Sequence, residues 1–142
     1  IEKTFNDLNY LVGANEVART VSVSGGEFYS DQWRIGEIFR NLISNAIKYR
    51  SLHTDATVRV EVNVNSDQCE IVVEDNGIGV EESLAPRIFE MFFRASDRSD
   101  GSGLGLYIVK NAIDRLRGTV EVKSKAGTGT RFRIILPNLI SK

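Results

Sequence analysis

The chain contains 142 residues, of which 42% are hydrophobic and 26% charged, a composition typical of one globular domain. Eighteen basic and nineteen acidic side chains give a net charge of -1, so a nucleic-acid partner or an anionic membrane surface is not expected. Cys69 is the only cysteine, which excludes an intrachain disulfide and fits a reducing compartment.

The chain opens on Ile1 rather than Met, and it has neither a signal peptide nor an apolar run of the roughly 18 residues that a membrane span needs. We therefore expect a cytoplasmic part of a longer protein. The parent protein could be anchored in the inner membrane by a segment outside this sequence.

The first thirty residues predict a short helix and a strand. Apolar residues at helical spacing indicate an amphipathic helix over residues 5–12. A strand is predicted over Val17–Val23, and the glycines at 25 and 26 predict a turn into Glu27–Tyr29.

The next helix carries the first chemical signal. It is predicted to begin at Asp31, a good N-cap residue, and to run to about Arg50. Its expected core face consists of six apolar residues: Ile35, Phe39, Leu42, Ile43, Ala46 and Ile47. Its opposite face is a polar stripe: Arg34, Glu37, Asn41, Asn45 and Lys48. Asparagine is a poor helix former, so two of them one turn apart indicate a function, although both could simply be surface residues. Amide oxygens suit a hard cation and Lys48 adds positive charge, so the stripe predicts magnesium bound together with phosphate.

The second half of the chain predicts four strands and two helices. Alternating apolar residues indicate two neighbouring strands, and Cys69 lies on the buried side of the second one. The predicted elements are strands 58–64 and 69–74, a short helix from Pro86 through Phe92, a polar loop over 94–102, a helix from Gly103 to Arg117 stopped by Gly118, and strands 119–124 and 130–136. This order predicts a two-layer α/β sandwich, with a mixed, mostly antiparallel sheet covered on one face by helices.

A glycine-containing turn follows the second of these central strands. Asp75-Asn76-Gly77-Ile78-Gly79 could be an ordinary hairpin turn, because Asn-Gly is common there. The residues after it do not alternate as a strand, however. A carboxylate at a strand end beside two glycines can accept a hydrogen bond from an exocyclic amine while the backbone approaches a flat ring.

A second glycine-rich segment, Gly101-Ser102-Gly103-Leu104-Gly105-Leu106, opens the later helix. Free amides at a helix N-terminus predict an anion site, and the alternative is a flexible loop before the helix. Arg94, at the entrance of the preceding loop, can reach a phosphate. The segment Gly127–Thr130 is most simply a hairpin turn with strand entry, and His53, the only histidine, is interpreted as a solvated loop residue.

Taken in order, these segments resemble the catalytic ATP-binding domain of two-component sensor histidine kinases. That domain has the Bergerat fold of the superfamily shared with type II topoisomerases, the ninety-kilodalton heat-shock chaperone and the mismatch-repair ATPases. The resemblance spans residues 31–137 of a single expected domain, 1–142, and five ordered motifs carry it: Asn41-Leu42-x-x-Asn45-Ala46-x-Lys48-Tyr49, Asp75-x-Gly77-x-Gly79, Phe89-x-x-Phe92-x-Arg94, Gly101-x-Gly103-Leu104-Gly105-Leu106 and Gly127-x-Gly129-Thr130.

The resemblance implies that ATP and Mg²⁺ are the cofactors. Asn45 is the implied metal ligand, and the implied catalytic residues are Asn41, Lys48 and Arg94. The remaining implied nucleotide contacts are Tyr49 near the sugar and phosphates, Asp75 on the adenine amine with Gly77 and Gly79 beside it, Thr130 at the adenine end, and Gly101, Gly103, Leu104, Gly105 and Leu106 on the phosphates, under a lid from about Ala95 to Ser102.

The resemblance also implies phosphoryl transfer rather than hydrolysis. Hydrolytic members carry a glutamate four residues before the metal-binding asparagine, where this chain has Asn41. The implied acceptor is a histidine on a separate dimerisation domain of the same kinase, with a response regulator further along. We expect the chain alone to be monomeric and its parent to be a homodimer. The alternatives are a non-catalytic nucleotide-binding or docking module and a serine kinase of the anti-sigma-factor type.

Overall fold

The computed structural model describes residues 17–52, 54–91, 93 and 104–139. The predicted helix over residues 5–12 and the whole of the predicted loop over 94–102 lie outside these ranges. The described elements are β1 (Val17–Gly25), α1 (Gln32–Lys48), β2 (Ala56–Val64), β3 (Gln68–Asp75), a 3-10 helix (Glu82–Arg87), α2 (Gly105–Arg115), β4 (Thr119–Lys125) and β5 (Gly129–Pro137).

The described strands form one sheet in the order β1-β2-β3-β5-β4. β1 pairs with β2 in parallel, and the other three pairings are antiparallel. β3 therefore lies at the centre with β5 beside it, and Asp75 is directly opposite Thr130 where β3 ends and β5 begins. The predicted mixed, mostly antiparallel sheet is confirmed.

The helices cover one face of this sheet, as the strand alternation predicts. In β2, Val58, Val60 and Val62 are buried while Arg59 and Asn63 are exposed. The other face carries ion pairs between strands, such as those of Arg59 with Glu74 at 2.9 Å and Arg133 with Glu70 at 2.8 Å. The two-layer α/β sandwich is confirmed, with its core between the helices and one side of the sheet.

The start of α1 is set by Asp31, whose carboxylate accepts hydrogen bonds from the amides of Trp33 at 3.0 Å and Arg34 at 3.3 Å. The predicted N-cap is confirmed. Five of the six predicted core residues of this helix are buried, whereas Ile35 is only partly buried against the core. Ile38 is fully buried and was absent from the predicted core face.

Two predicted elements near the ends of the sheet are wrong in detail. β1 runs two residues beyond the predicted end at Val23, to Gly25, in parallel pairing with β2. Pro86 does not begin a helix but lies inside the 3-10 helix. Its missing amide cannot support a continuous α-helical ladder, and separate turns are closed instead by Leu84 N–H to Glu81 O and Ile88 N–H to Ala85 O.

The predicted helix from Gly103 to Arg117 is shorter in the structure. α2 begins at Gly105 and ends at Arg115, and Arg117 has a φ of 60°, in the left-handed region. The Gly118 amide donates to Ile113 O at 2.9 Å and closes the helix end. A Cβ at Gly118 would lie 2.5 Å from Ile135 O, so glycine is required there for close packing on β5.

Candidate functional site

The polar stripe of α1 faces the beginning of α2. The Asn41 side-chain amide donates to Glu37 O at 2.8 Å, which leaves its Oδ1 free to point across the helix interface. A Cβ at Gly105 would lie 3.2 Å from Asn41 Oδ1 and 3.9 Å from Asn45 Oδ1. The fold thus brings the two asparagines of one motif to the glycine of another, sixty residues later.

The first turn of α2 presents amides without a side-chain cap. Leu104 occupies the N-cap position and makes no side-chain capping hydrogen bond, so the amides at Gly105 and Leu106 keep their anion-binding capacity. Lys48 lies in the last turn of α1 and makes no ion pair with any of the described residues. The other predicted phosphate ligands, Arg94, Gly101 and Gly103, lie outside the described residues, as do His53 and Phe92.

Asp75 is the carboxylate at the other end of the candidate site. It ends β3 on the core side of the sheet, and its Oδ1 accepts a hydrogen bond from the Gly77 amide at 2.9 Å. Burial raises the pKa of Asp75 to about 6, with a smaller rise from Glu74, although hydrogen bonds from the Gly77 and Thr130 amides lower it. A carboxylate near the core that keeps a free acceptor position is suited to receive a donor from a ligand.

The turn after Asp75 packs against the end of α1 instead of forming a hairpin. The Ile78 amide donates to Tyr49 O at 2.9 Å, and a Cβ at Gly77 would lie only 2.5 Å from that oxygen. Asn76 anchors the turn to β2, because its Oδ1 accepts from the Thr57 amide and its Nδ2 donates to Asp55 O, both at 2.8 Å. The hairpin alternative for this motif is therefore wrong, and Tyr49 lies beside the turn that carries Asp75.

The β4–β5 hairpin closes the same end of the sheet, and the predicted hairpin turn is confirmed. The Gly127 amide donates to Ile78 O at 2.8 Å. Gly79 has a φ of 65° and Gly129 a φ of 127°, and a Cβ at Gly129 would overlap the Asp75 carbonyl oxygen. Only glycine combines this backbone conformation with such close contact, so these positions hold Thr130 opposite Asp75.

Ser124 also lies at the end of the sheet formed by Asp75 and the β4–β5 hairpin, and none of the sequence motifs includes it. Its hydroxyl is 3.1 Å from Gly129 O and 2.8 Å from Thr130 Oγ1, and it accepts a hydrogen bond from the Val80 amide at 2.8 Å. It therefore joins the turn after Asp75 to the first residues of β5. Only its inward position in the alternation of β4 could have drawn attention to it in the sequence.

A cavity of about 470 Å³ also lies at these strand ends, lined in part by Glu74, Lys123 and Arg131. Those side chains alternate with Asp75, Ser124 and Thr130 along their strands, so they lie on the face of the sheet without helices. The lining of the cavity also includes Asp75, Ser124 and Thr130, and it does not include the asparagines of α1.

Two features are absent from the residues that the structure describes. These residues contain no group of three or more His, Cys, Asp or Glu side chains placed to hold a metal ion. No helix among them combines the length and apolar character required to cross a membrane.

Comparison with known proteins agrees with the motif order. Residues 30–140 match the family profile described as histidine kinase-, DNA gyrase B-, and HSP90-like ATPase. The autoinducer 2 sensor kinase/phosphatase LuxQ of Vibrio harveyi is 38% identical over 121 residues, which cover 78% of this chain and 14% of LuxQ. Thus the chain spans about one seventh of that relative.

Solved structures of other proteins superpose on the fold of this chain. The mycobacterial sensor histidine kinase MprB superposes with a TM-score of 0.77 at 26% identity, covering 96% of this chain and 93% of that one. Full-length ShkA in complex with AMPPNP superposes with a TM-score of 0.76, also at 26% identity, covering 96% of this chain and 30% of ShkA. The described sheet and helices therefore have the architecture of kinase catalytic domains.

Proposed function

Because the chain belongs to the family of histidine kinase-, DNA gyrase B- and HSP90-like ATPases, we propose that it binds Mg-ATP and donates the γ-phosphate to a histidine of a separate dimerisation domain. The observation that carries this proposal is the juxtaposition of three separate motifs: Asn41 and Asn45 face Gly105, and Tyr49 contacts the turn that carries Asp75. In this proposal, Asn41, Asn45 and Gly105 form the end that holds the cation and phosphates, and Asp75 forms the carboxylate end.

Asp75 and Thr130 form the proposed adenine end. An ionised Asp75 has oxygens that accept from the adenine amine, while Gly77 and Gly79 let the backbone approach the ring. Thr130 lies across from Asp75 in β5 and supports the same end. Tyr49, beside this turn, is proposed to contact the sugar and phosphates.

Asn45 and Asn41 form the proposed metal and phosphate end. Their neutral amide oxygens fit Mg²⁺ when phosphates complete its coordination, and they would not suit a metal held by protein ligands alone. When bound, the metal neutralises phosphate charge. Lys48 and the amides of Leu104, Gly105 and Leu106 add positive charge at the phosphates, and Arg94, Gly101 and Gly103 are proposed to do the same from residues outside the described ranges.

Asn41 favours transfer to a protein over hydrolysis. Its side-chain nitrogen is engaged with Glu37 O at 2.8 Å, and an amide cannot take the proton of an attacking water. Phosphoryl transfer needs mainly positioning and charge neutralisation, which Asn41, Lys48 and Arg94 are proposed to provide at the reacting phosphate. The acceptor then has to bring its own nucleophile.

The proposed acceptor is outside this chain. The single histidine of this chain, His53, lies five residues after the end of α1 and has no recognisable motif around it. We propose that the phosphate passes to a histidine on the dimerisation domain of the same parent kinase, a homodimer, and from there to a response regulator. The matched part is 14% of LuxQ, so we propose that both partners act with a longer parent protein.

Two measurements test the proposed function. Titration with ADP and Mg²⁺ should raise the melting temperature of the chain, because a ligand that binds only the folded state stabilises it. Incubation with radioactive ATP should leave the chain unlabelled, whereas addition of its own dimerisation hairpin should give a labelled hairpin. Absence of nucleotide binding refutes the proposal, labelling of His53 refutes the external acceptor, and nucleotide binding without transfer favours the docking module.

A further inference from the structure

Ser124 is the one buried hydroxyl residue among those the structure describes, with 8% of its surface exposed. A hydroxyl has one proton to donate and two lone pairs to accept with. The Val80 amide occupies one lone pair at 2.8 Å. The remaining capacity is therefore one donated and one accepted hydrogen bond, which is what its two other neighbours require.

The proton of Ser124 can be assigned from those neighbours. We assign the Ser124 proton to Gly129 O, which lies at 3.1 Å and can only accept. Of the two directions open to the Ser124–Thr130 pair at 2.8 Å, this assignment selects the one in which the Thr130 hydroxyl donates to Ser124 Oγ. With its proton committed to Ser124, Thr130 Oγ1 can act toward a ligand only as an acceptor.

We propose that Ser124 is a positioning residue that sets base specificity. By holding the Thr130 proton, it leaves Asp75 at the end of β3 and Thr130 at the start of β5 both as hydrogen-bond acceptors. Asp75 offers carboxylate oxygens and Thr130 offers a lone pair, so the site selects a purine with a 6-amino donor and disfavours one with a 6-oxo acceptor. This inference rests on the proposed binding of adenine nucleotide at this end.

The prediction separates specificity from stability. In Ser124→Ala, the Thr130 hydroxyl is free to rotate and to donate to a 6-oxo group. We expect the ratio of ADP affinity to inosine diphosphate affinity to fall about five- to tenfold, the effect of one hydrogen bond. A purely structural role would lower the melting temperature and leave this ratio unchanged.

The test compares ADP and inosine diphosphate by calorimetry well below the melting temperature of each variant. Ser124→Thr keeps a hydroxyl and should keep the wild-type ratio. Ser22→Ala, which removes an exposed hydroxyl from β1, is the matched control. Thr130→Val should lower the ratio, and Ser124→Ala in the Thr130→Val background should lower it no further, because Ser124 acts through Thr130.

Each outcome decides between the two levels of the proposal. A wild-type chain that binds neither nucleotide overturns both the proposed function and this inference. Wild-type preference for ADP that persists in Ser124→Ala overturns this inference alone. If Ser124→Ala gives no cooperative melting transition, Thr130→Val and Ser124→Thr decide the question. The role of Ser124 is overturned if Thr130→Val leaves the ratio of ADP affinity to inosine diphosphate affinity unchanged, or if Ser124→Thr loses the preference for ADP.

Discussion

Replacing Asp75 with asparagine should make the nucleotide-free domain more stable while it weakens nucleotide binding. Asparagine has nearly the same size and can still accept the hydrogen bond that the Gly77 amide donates to Asp75 at 2.9 Å. It removes the negative charge that burial penalises. A site residue that costs stability in the free protein is expected where binding depends on a poorly solvated charge.

The magnitude follows from the pKa of Asp75, which burial raises from 3.8 to about 6. Because the folded pKa lies above the unfolded one, the folded state loses stability as the pH rises from about 4 through 6. At about 1.4 kcal/mol per unit, the ionised carboxylate costs roughly 3 kcal/mol at pH 8. Asparagine avoids that cost but gives up one hydrogen bond, worth about 1 kcal/mol, that Asp75 accepts from a backbone amide. The net gain in the free energy of unfolding is therefore about 1–2 kcal/mol at pH 8, disappears at about pH 4.5 and becomes a small net loss at lower pH.

Urea denaturation between pH 4 and pH 8, with and without ADP and Mg²⁺, measures both effects. We expect ADP to bind Asp75→Asn about 1–3 kcal/mol more weakly than wild type, since a hydrogen bond to a charged group is lost. Asp114→Asn is the matched control, because it removes an exposed carboxylate paired with Lys110 at 2.6 Å on α2. A variant that is less stable than wild type at pH 8, or that keeps the wild-type ADP affinity, would refute the reasoning about Asp75.

Three further predictions concern the same site. Wild-type affinity for ADP should fall as the pH drops below about 6, because protonation removes the Asp75 carboxylate, and calorimetry on Asp75→Asn should show no such fall. Asn45→Ala should lower the affinity for ADP by about tenfold in the presence of Mg²⁺ and only slightly in the presence of EDTA. The control Asn111→Ala, on the exposed side of α2, should change neither affinity. Equal losses of affinity with Mg²⁺ and with EDTA would contradict the role of Asn45 as a metal ligand. Gly77→Ala should lower the free energy of unfolding measured in urea by roughly 1–3 kcal/mol, because its Cβ would lie 2.5 Å from a backbone oxygen. In the control Gly26→Ala, the added Cβ would meet open space. Equal effects of the two substitutions would contradict the packing of the turn against α1.

The elements that could be predicted are those with a strong local signal. Asp31 begins α1 as predicted because an N-cap carboxylate satisfies helix amides that no neighbouring segment can reach. The alternation in β2 assigned its buried face correctly. The ends of α2 and the role of Pro86 were harder, because they depend on contacts with β5 and on which amides remain to be bonded.

Some residues of the candidate site could likewise be predicted from the sequence, and others could not. Its motif residues are recognisable because glycine and asparagine at these positions have unusual local preferences. Ser124 and the carbonyl oxygen of Tyr49 carry no such signal, since a serine in a strand and a backbone carbonyl are ordinary until another segment is placed beside them. The functions assigned to the motif residues stay predictions until the nucleotide experiments are made.

The sequence by itself determined the fold class, the face of each strand that is buried, and the polar residues that gather into a site, because periodicity and local conformational preference are written in short segments. The tertiary structure decided which of those residues meet. It placed Asn41 against Gly105, opposed Asp75 to Thr130, and surrounded the Asp75 carboxylate with the apolar core that raises its pKa. Such effects depend on distance and burial between segments far apart in the chain, which no local pattern specifies.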